Sequence, residues 1–241
     1  MQRIIIALCF AYTSAYAASH EIPFEIHQTL VTENAQDKVA ALTLDACGGS
    51  FDADMIQYLT AQKIPATIFV TQRWLNKNPV AFAELKARND LFDIEDHGAR
   101  HVPAVVGPGR QVYGIAGSPD MEHLKQEVTG GAEAIEKLGG AKPRWYRGAT
   151  AEYDRKAIDT IKSMGYQIAG FSVNADAGAT LSRASIVKRL KAVKNGDIII
   201  AHMNKPRSDS AEGLSDGLTW LTAQGFRFVK LNQYAVRDLP F

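Results

Sequence analysis

The sequence predicts an α/β protein, a distorted (β/α)7 barrel, and three observations carry that expectation. Short apolar runs rich in β-branched and aromatic residues recur seven times along the 241 residues, with amphipathic stretches between most of them. Strands alternating with helices of this kind imply a parallel sheet with crossover connections. No G-x-G-x-x-G follows the first run, so a dinucleotide-binding open sheet has no support, and the strand count with a single-domain length favours a barrel, possibly incomplete.

The expected strands are residues 39–44, 66–70, 91–94, 144–146, 167–173, 197–201 and 226–231. The expected helices lie between them. Helix 52–63 opens on aspartates and spaces Met55, Ile56 and Leu59 along one face. Helix 79–88 opens on Pro79 at the first helical position. Helix 119–138 is long and charged and ends at Gly139-Gly140. Helices 154–164, 182–193 and 209–223 end near Gly165, Asn195-Gly196 and Gly225. Ahead of all these, Arg3, an apolar run and Ala15-Tyr16-Ala17 stand in the order of a cleaved signal peptide over residues 1–17, leaving one domain over 18–241. Export to the periplasm or exterior, without a stable membrane anchor, is the expectation.

The formal net charge is +1, and the leader carries Arg3 and no acid, so the remainder is formally neutral. That argues against a nucleic-acid or anionic-membrane partner bound by charge. Of the two cysteines, Cys9 lies in the leader and Cys47 remains alone. A single thiol in an exported protein is either buried or functional.

Five of the seven strands deliver an unusual polar residue just past their C-terminal end: Asp45, His97 with His101, Arg147, Asp176 and His202. In a parallel barrel those ends share one rim, where such folds keep their active sites. His97 and His101 are four residues apart, which on a helical turn places both imidazoles on one face as a metal pair. His123 reads as solvated helix surface, and His20 and His27 carry no pattern. Asp176 lies six residues ahead of Ser182, too early to cap helix 182–193. The loop 107–117 is no phosphate loop, lacking Gly-Lys-Ser/Thr, and suits a substrate wall or lid as well as plain surface. Trp74, Trp145, Tyr113 and Tyr153 offer flat apolar faces on which a ligand ring can stack, although Trp145, inside a strand, reads as core.

Taken together these positions resemble the NodB-type polysaccharide deacetylases, carbohydrate esterase family 4, over about residues 39–231. The resemblance implies removal of acetyl groups from N-acetylated sugars of a peptidoglycan or chitin-like polysaccharide, using a divalent metal, usually Zn2+. The family's Thr-Phe-Asp-Asp-Gly reads here Thr43-Leu44-Asp45-Ala46-Cys47-Gly48. Its catalytic base falls on Asp45, and its metal-binding aspartate falls on Ala46, which cannot ligate. The His-x-x-x-His pair is His97 and His101, with Pro103 one place late. The arginine that pairs with the base is Arg147, followed by Gly148-Ala149-Thr150 in place of Pro-Pro-Tyr. Asp176 matches an Asp-Trp motif with Ala177 for the tryptophan, and His202 matches the last motif.

The implied chemistry has a carboxylate taking a proton from water, Arg147 orienting it, and His202, kept protonated by Asp176, donating to the leaving amine. Ala46 leaves the third metal ligand open. Asp45 can ligate beside His97 and His101, and this set of three is the expected one; Cys47 thiolate can ligate with Asp45 remaining the base; or two histidines and waters hold the ion. Two other functions remain open: hydrolysis of another linear or cyclic amide, and a non-catalytic carbohydrate-binding relative.

Overall fold

The computed structural model describes residues 21–34 and 36–240; the expected leader at 1–17 lies outside them. In chain order the main elements are β1 (Val39–Ala46), α1 (Ala53–Ala61), β2 (Ala66–Val70), α2 (Gln72–Lys77), α3 (Pro79–Ala87), β3 (Phe92–Asp96) and α4 (Met121–Lys137). There follow β4 (Trp145–Tyr146), α5 (Arg155–Ser163), β5 (Gln167–Ile168), β6 (Val173–Asn174), α6 (Arg183–Leu190), β7 (Ile198–His202), α7 (Ser210–Ala223) and β8 (Arg227–Val229).

These strands are parallel and run in the spatial order β5-β4-β3-β2-β1-β7-β6, with β8 also on β1. The single strand expected at 167–173 is two short ones, because the chain changes partner midway. Residues 167–168 pair with β4 and 173–174 with β7, so one segment lies along both free edges and curls the sheet into a seven-stranded distorted barrel. On β1 the carbonyls of Lys38 and Ala46 accept from Arg227 and Thr71, whereas Asp45 accepts from Met203 on the opposite edge. β8 and β2 therefore share one edge of β1, end to end.

β1 is buried along its whole length, and its period of two divides the core. Ala40, Leu42, Leu44 and Ala46 pack outward under the helices, whereas Val39 and Ala41 pack inward with Phe69, Trp145, Ile198 and Ile200. Helix starts follow side-chain caps: Asp52, Asp120 and Asp154 accept from the backbone N–H of Met55, His123 and Ala157. Helix α2 escapes a periodicity reading because it is a single short turn-and-a-half, capped by Thr71 accepting from Trp74 N–H. No helix among the described residues is long and apolar enough to cross a membrane.

Candidate active site

Asp45 and Thr43 lie on the inward face of β1, and Arg147 enters directly after β4. Arg147 is wholly buried and uses its fork of donors fully. Its Nη1 donates to Asp45 Oδ1 and Thr43 Oγ1, both at 2.9 Å, its Nε to the Ala169 carbonyl at 3.2 Å and its Nη2 to the Gly170 carbonyl at 3.0 Å. The guanidinium also stacks 4.3 Å over the Phe69 ring. Burial opposes ionisation of Asp45, but the Arg147 charge, with those of His97 and His202, outweighs it and holds the carboxyl below its ordinary range. Asp45 Oδ2 lies 3.7 Å from His97 Nε2.

The histidine pair meets, but not on a helical turn. Residues 97–102 form a loop in which Gly98 and His101 adopt φ of 86° and 67°, and this brings the rings to 4.9 Å between centroids. The buried Glu127 of α4 pins the loop, accepting from the N–H groups of Arg100 and Val102. His97 Nδ1 donates to the Arg147 carbonyl at 2.6 Å, which turns Nε2 toward Cys47 Sγ at 3.4 Å. Donor atoms of Cys47, His97 and His101 all lie within 4.8 Å of one another. Burial resists ionisation of the Cys47 thiol, yet His97, His101 and His202 hold it well below its ordinary range. His97 rises to about 9: burial lowers it, and the Asp45 and Cys47 charges with two hydrogen bonds more than reverse that. Two imidazoles and a sulfur form a donor set that suits a divalent metal.

His202 ends β7 directly beside Asp45 in register. Asp176, fully buried, accepts from His202 Nδ1 at 2.9 Å, from His202 N–H at 2.8 Å and from Ser210 Oγ at 2.9 Å. Burial raises the Asp176 pKa, but these bonds and the imidazolium lower it further. The same partnership, with Cys47, overrides burial and lifts His202 well above its ordinary value.

Asp45, Cys47, His97, His101 and His202 line one cleft of about 420 Å³, with Arg147 and Asp176 buried behind it. Its walls include Thr150, Ala151 and Ala177, which are not glycines yet have φ of 67°, 56° and 48°. Such conformations cluster where a site dictates the backbone. The loop 107–117 is a small hairpin that places Tyr113, 76% exposed, at the edge of the cleft. Trp145 is core, as expected, and so are Trp74 and Tyr153, whose burial removes them as stacking platforms. His123 is exposed and pairs with Asp120.

Sequence reasoning missed four residues. Thr43 stands two places before Asp45, a signal that strand alternation carries, and Asn204, just past the strand that ends at His202, lines the cleft. Glu127 falls on the buried arc of α4 with Leu124, Val128 and Gly131, an acid on an apolar face. Nothing in the sequence flags Ser210.

An Asp–Arg pair, an Asp–His pair and a histidine pair on the C-terminal rim of a distorted seven-stranded barrel define the NodB-type class of carbohydrate esterase family 4. The family model for polysaccharide deacetylase matches residues 32–169. That is more than half of the chain, and the chain belongs to this family. It is 25% identical over 186 residues to the uncharacterized protein YlxY of Bacillus subtilis (strain 168), covering 73% of this chain and 51% of that protein. The chain thus spans about half the length of that curated relative. Among solved structures, the Bc1960 peptidoglycan N-acetylglucosamine deacetylase aligns with TM-score 0.70 at 18% identity, over 86% of this chain and 91% of that one. The peptidoglycan deacetylase PdaC from Bacillus subtilis aligns with TM-score 0.65 at 22% identity, over 83% and 91%. BA3943 from Bacillus anthracis, described as a family pseudoenzyme, aligns with TM-score 0.65 at 16% identity, over 83% and 66%. At these identities the likeness is one of fold.

Proposed function

We propose that the protein is a metal-dependent hydrolase that removes acetyl groups from N-acetylated sugars of a peptidoglycan or chitin-like glycan, acting outside the cytoplasm. The observation that supports this best is the meeting of two oppositely built pairs around the histidine pair. Asp45 is an acid kept ionised by Arg147, and His202 is a base kept protonated by Asp176. Pure binding has no use for such a set. In this reading His97 and His101 hold the ion, Zn2+. A divalent ion there supplies Lewis-acid chemistry, acidifying water and polarising an acyl carbonyl. Asp45 Oδ2 takes the proton of the attacking water while Arg147 keeps Oδ1 fixed. His202 gives its proton to the departing amine, and Asp176 steadies the charge before and after.

Acetate release from acetylated chitooligosaccharides and from peptidoglycan, with and without chelator, tests the proposal. The expected result is release that chelation abolishes and zinc restores. Tight glycan binding with no release from either substrate would replace it with a binding role. The open wall at Ala177 and Gly178, where the family carries a tryptophan, favours one second reading, hydrolysis of a different C–N amide. Release from small acylated amines but from neither glycan would select that reading.

A further inference from the structure

We infer that Cys47 is the third protein ligand of this metal centre, and that the resulting two-histidine, one-thiolate set selects a thiophilic ion such as zinc or cobalt over magnesium, calcium or manganese. The inference rests on the metal-dependent reading above and deepens it. Asp45, on this assignment, is the base alone.

Four observations carry it. First, strand alternation sorts the residues. Ala46, where the family's ligating aspartate falls, packs outward among Leu42 and Leu44, whereas Cys47, two residues past Asp45, returns to the cleft face. Second, the spacing fits. Metal–sulfur and metal–nitrogen bonds of about 2.3 and 2.0–2.1 Å in a tetrahedron put sulfur about 3.6 Å from nitrogen, and Cys47 Sγ is 3.4 Å from His97 Nε2, with His101 inside the same 4.8 Å group. Third, Asp45 Oδ1 is taken by Arg147 at 2.9 Å, and although its Oδ2 is 3.7 Å from His97 Nε2, Asp45 is absent from that tight group. Fourth, the backbone carrying the thiol is fixed. The Cys47 carbonyl accepts from Thr71 Oγ1 at 2.9 Å. A Cβ on Gly49, at φ 82°, would stand 2.6 Å from the Asn204 carbonyl. Supporting groups of this kind are what orient a metal ligand. Imidazole and thiolate donors suit zinc and cobalt, whereas magnesium, calcium and manganese prefer oxygen.

The test uses the full chain, stripped with chelator and reloaded with cobalt or zinc. Wild type is expected to bind one equivalent of cobalt with a near-ultraviolet sulfur-to-cobalt charge-transfer band. Cys47→Ser is expected to lose the band and to weaken zinc binding by more than the roughly 10–100-fold typical of a change outside the ligand set. Cys47→Asp is expected to bind without the band and to shift preference toward manganese. One bound equivalent of cobalt with no such band in wild type overturns the inference. So does unchanged zinc affinity in Cys47→Ser; should that variant fail to fold, the wild-type band and Cys47→Asp decide. A thiol acting as nucleophile beside His202 predicts unchanged metal affinity in Cys47→Ser, and that result equally overturns it. The outcomes separate the two readings. Chelator-sensitive acetate release without a thiolate band leaves the deacetylase standing and removes this inference. A band without acetate release from any substrate does the reverse.

Discussion

Asp176 is a single buried carboxylate that sets the protonation state of His202. With it, the imidazolium is favoured to a pH well above the ordinary histidine value. A group whose folded pKa is raised keeps its proton, and the stability tied to it, until pH rises through that folded value. Activity that needs protonated His202 therefore falls on the alkaline side. In Asp176→Asn the charge is gone, and the alkaline limb of the kcat profile is expected to move to lower pH, as measured by acetate release against pH. A limb that stays in place rules His202 out as the acid. At Arg147 the stakes are structural as well. Arg147→Met leaves Asp45 buried without its partner, a change that typically costs about 3–5 kcal/mol. The expected outcome is a urea midpoint lowered accordingly and kcat reduced with it. An unchanged midpoint would mean that Asp45 is not held ionised by this contact.

Helix α4 acts on the site through Glu127, whose side chain caps two backbone groups of the histidine loop rather than touching substrate. Glu127→Ala removes the acceptor for the N–H groups of Arg100 and Val102, at about 1–3 kcal/mol for each group left unsatisfied. A lower melting temperature in the metal-free protein and weaker zinc binding are expected together, by thermal melts and metal titration. Melting unchanged with zinc affinity unchanged would show that the loop holds itself. The control is Gly98→Ala, which also strains φ at 86° and drives a Cβ to 2.5 Å from Glu127 Oε1. This coupling marks where the sequence stops being legible. The strand 66–70 matches its expected bounds because ATIFV is rich in β-branched and aromatic residues, buried throughout, and stands between Pro65 and the Thr71 cap of α2. His97 and His101 are legible as a pair but not as a geometry, since positive φ and a distant glutamate, rather than helical spacing, bring them together. The partner switch at 169–172 and the strand at Ala149–Tyr153 depend on long-range pairing and on Thr150 and Ala151 at positive φ, which no local pattern encodes. Asp45, Arg147, Asp176 and His202 were legible because their place at strand ends is local, whereas the approach of Cys47 to His97 and His101 depends on the fold of the 97–102 loop.

At the scale of the molecule, the barrel has a seam at residues 169–172, and residues 26–30 and 236–238 help to cover it. Inside, Arg147 bonds the carbonyls of Ala169 and Gly170. Outside, residues 26–28 bond the same stretch: Phe171 N–H donates to the Ile26 carbonyl, Gln28 N–H to the Phe171 carbonyl, and Gly170 N–H to Gln28 Oε1 at 2.6 Å. The strand Val236–Asp238 then pairs with Gln28–Leu30, and Gln28 Nε2 donates to Asp238. The arginine that orients Asp45 is thus braced, through residues 169–170, by the neighbouring segment that bridges to Phe171. Gly170 is the point of closest approach, where an added Cβ would stand 2.2 Å from the Ile26 carbonyl. Gly170→Ala must push that backbone away, and overpacking of this kind costs about 1–3 kcal/mol. The expected results are a lower urea midpoint, faster hydrogen exchange over residues 26–30, and reduced kcat as the Gly170 carbonyl shifts from Arg147. Gln28→Ala instead leaves the Gly170 N–H without its acceptor and introduces no clash, so its expected signature is faster exchange at Gly170 with a smaller loss of kcat. Equal losses of stability with full activity in both variants would separate the seam from the site, and an unchanged midpoint in Gly170→Ala would show that the segment does not brace the barrel at all.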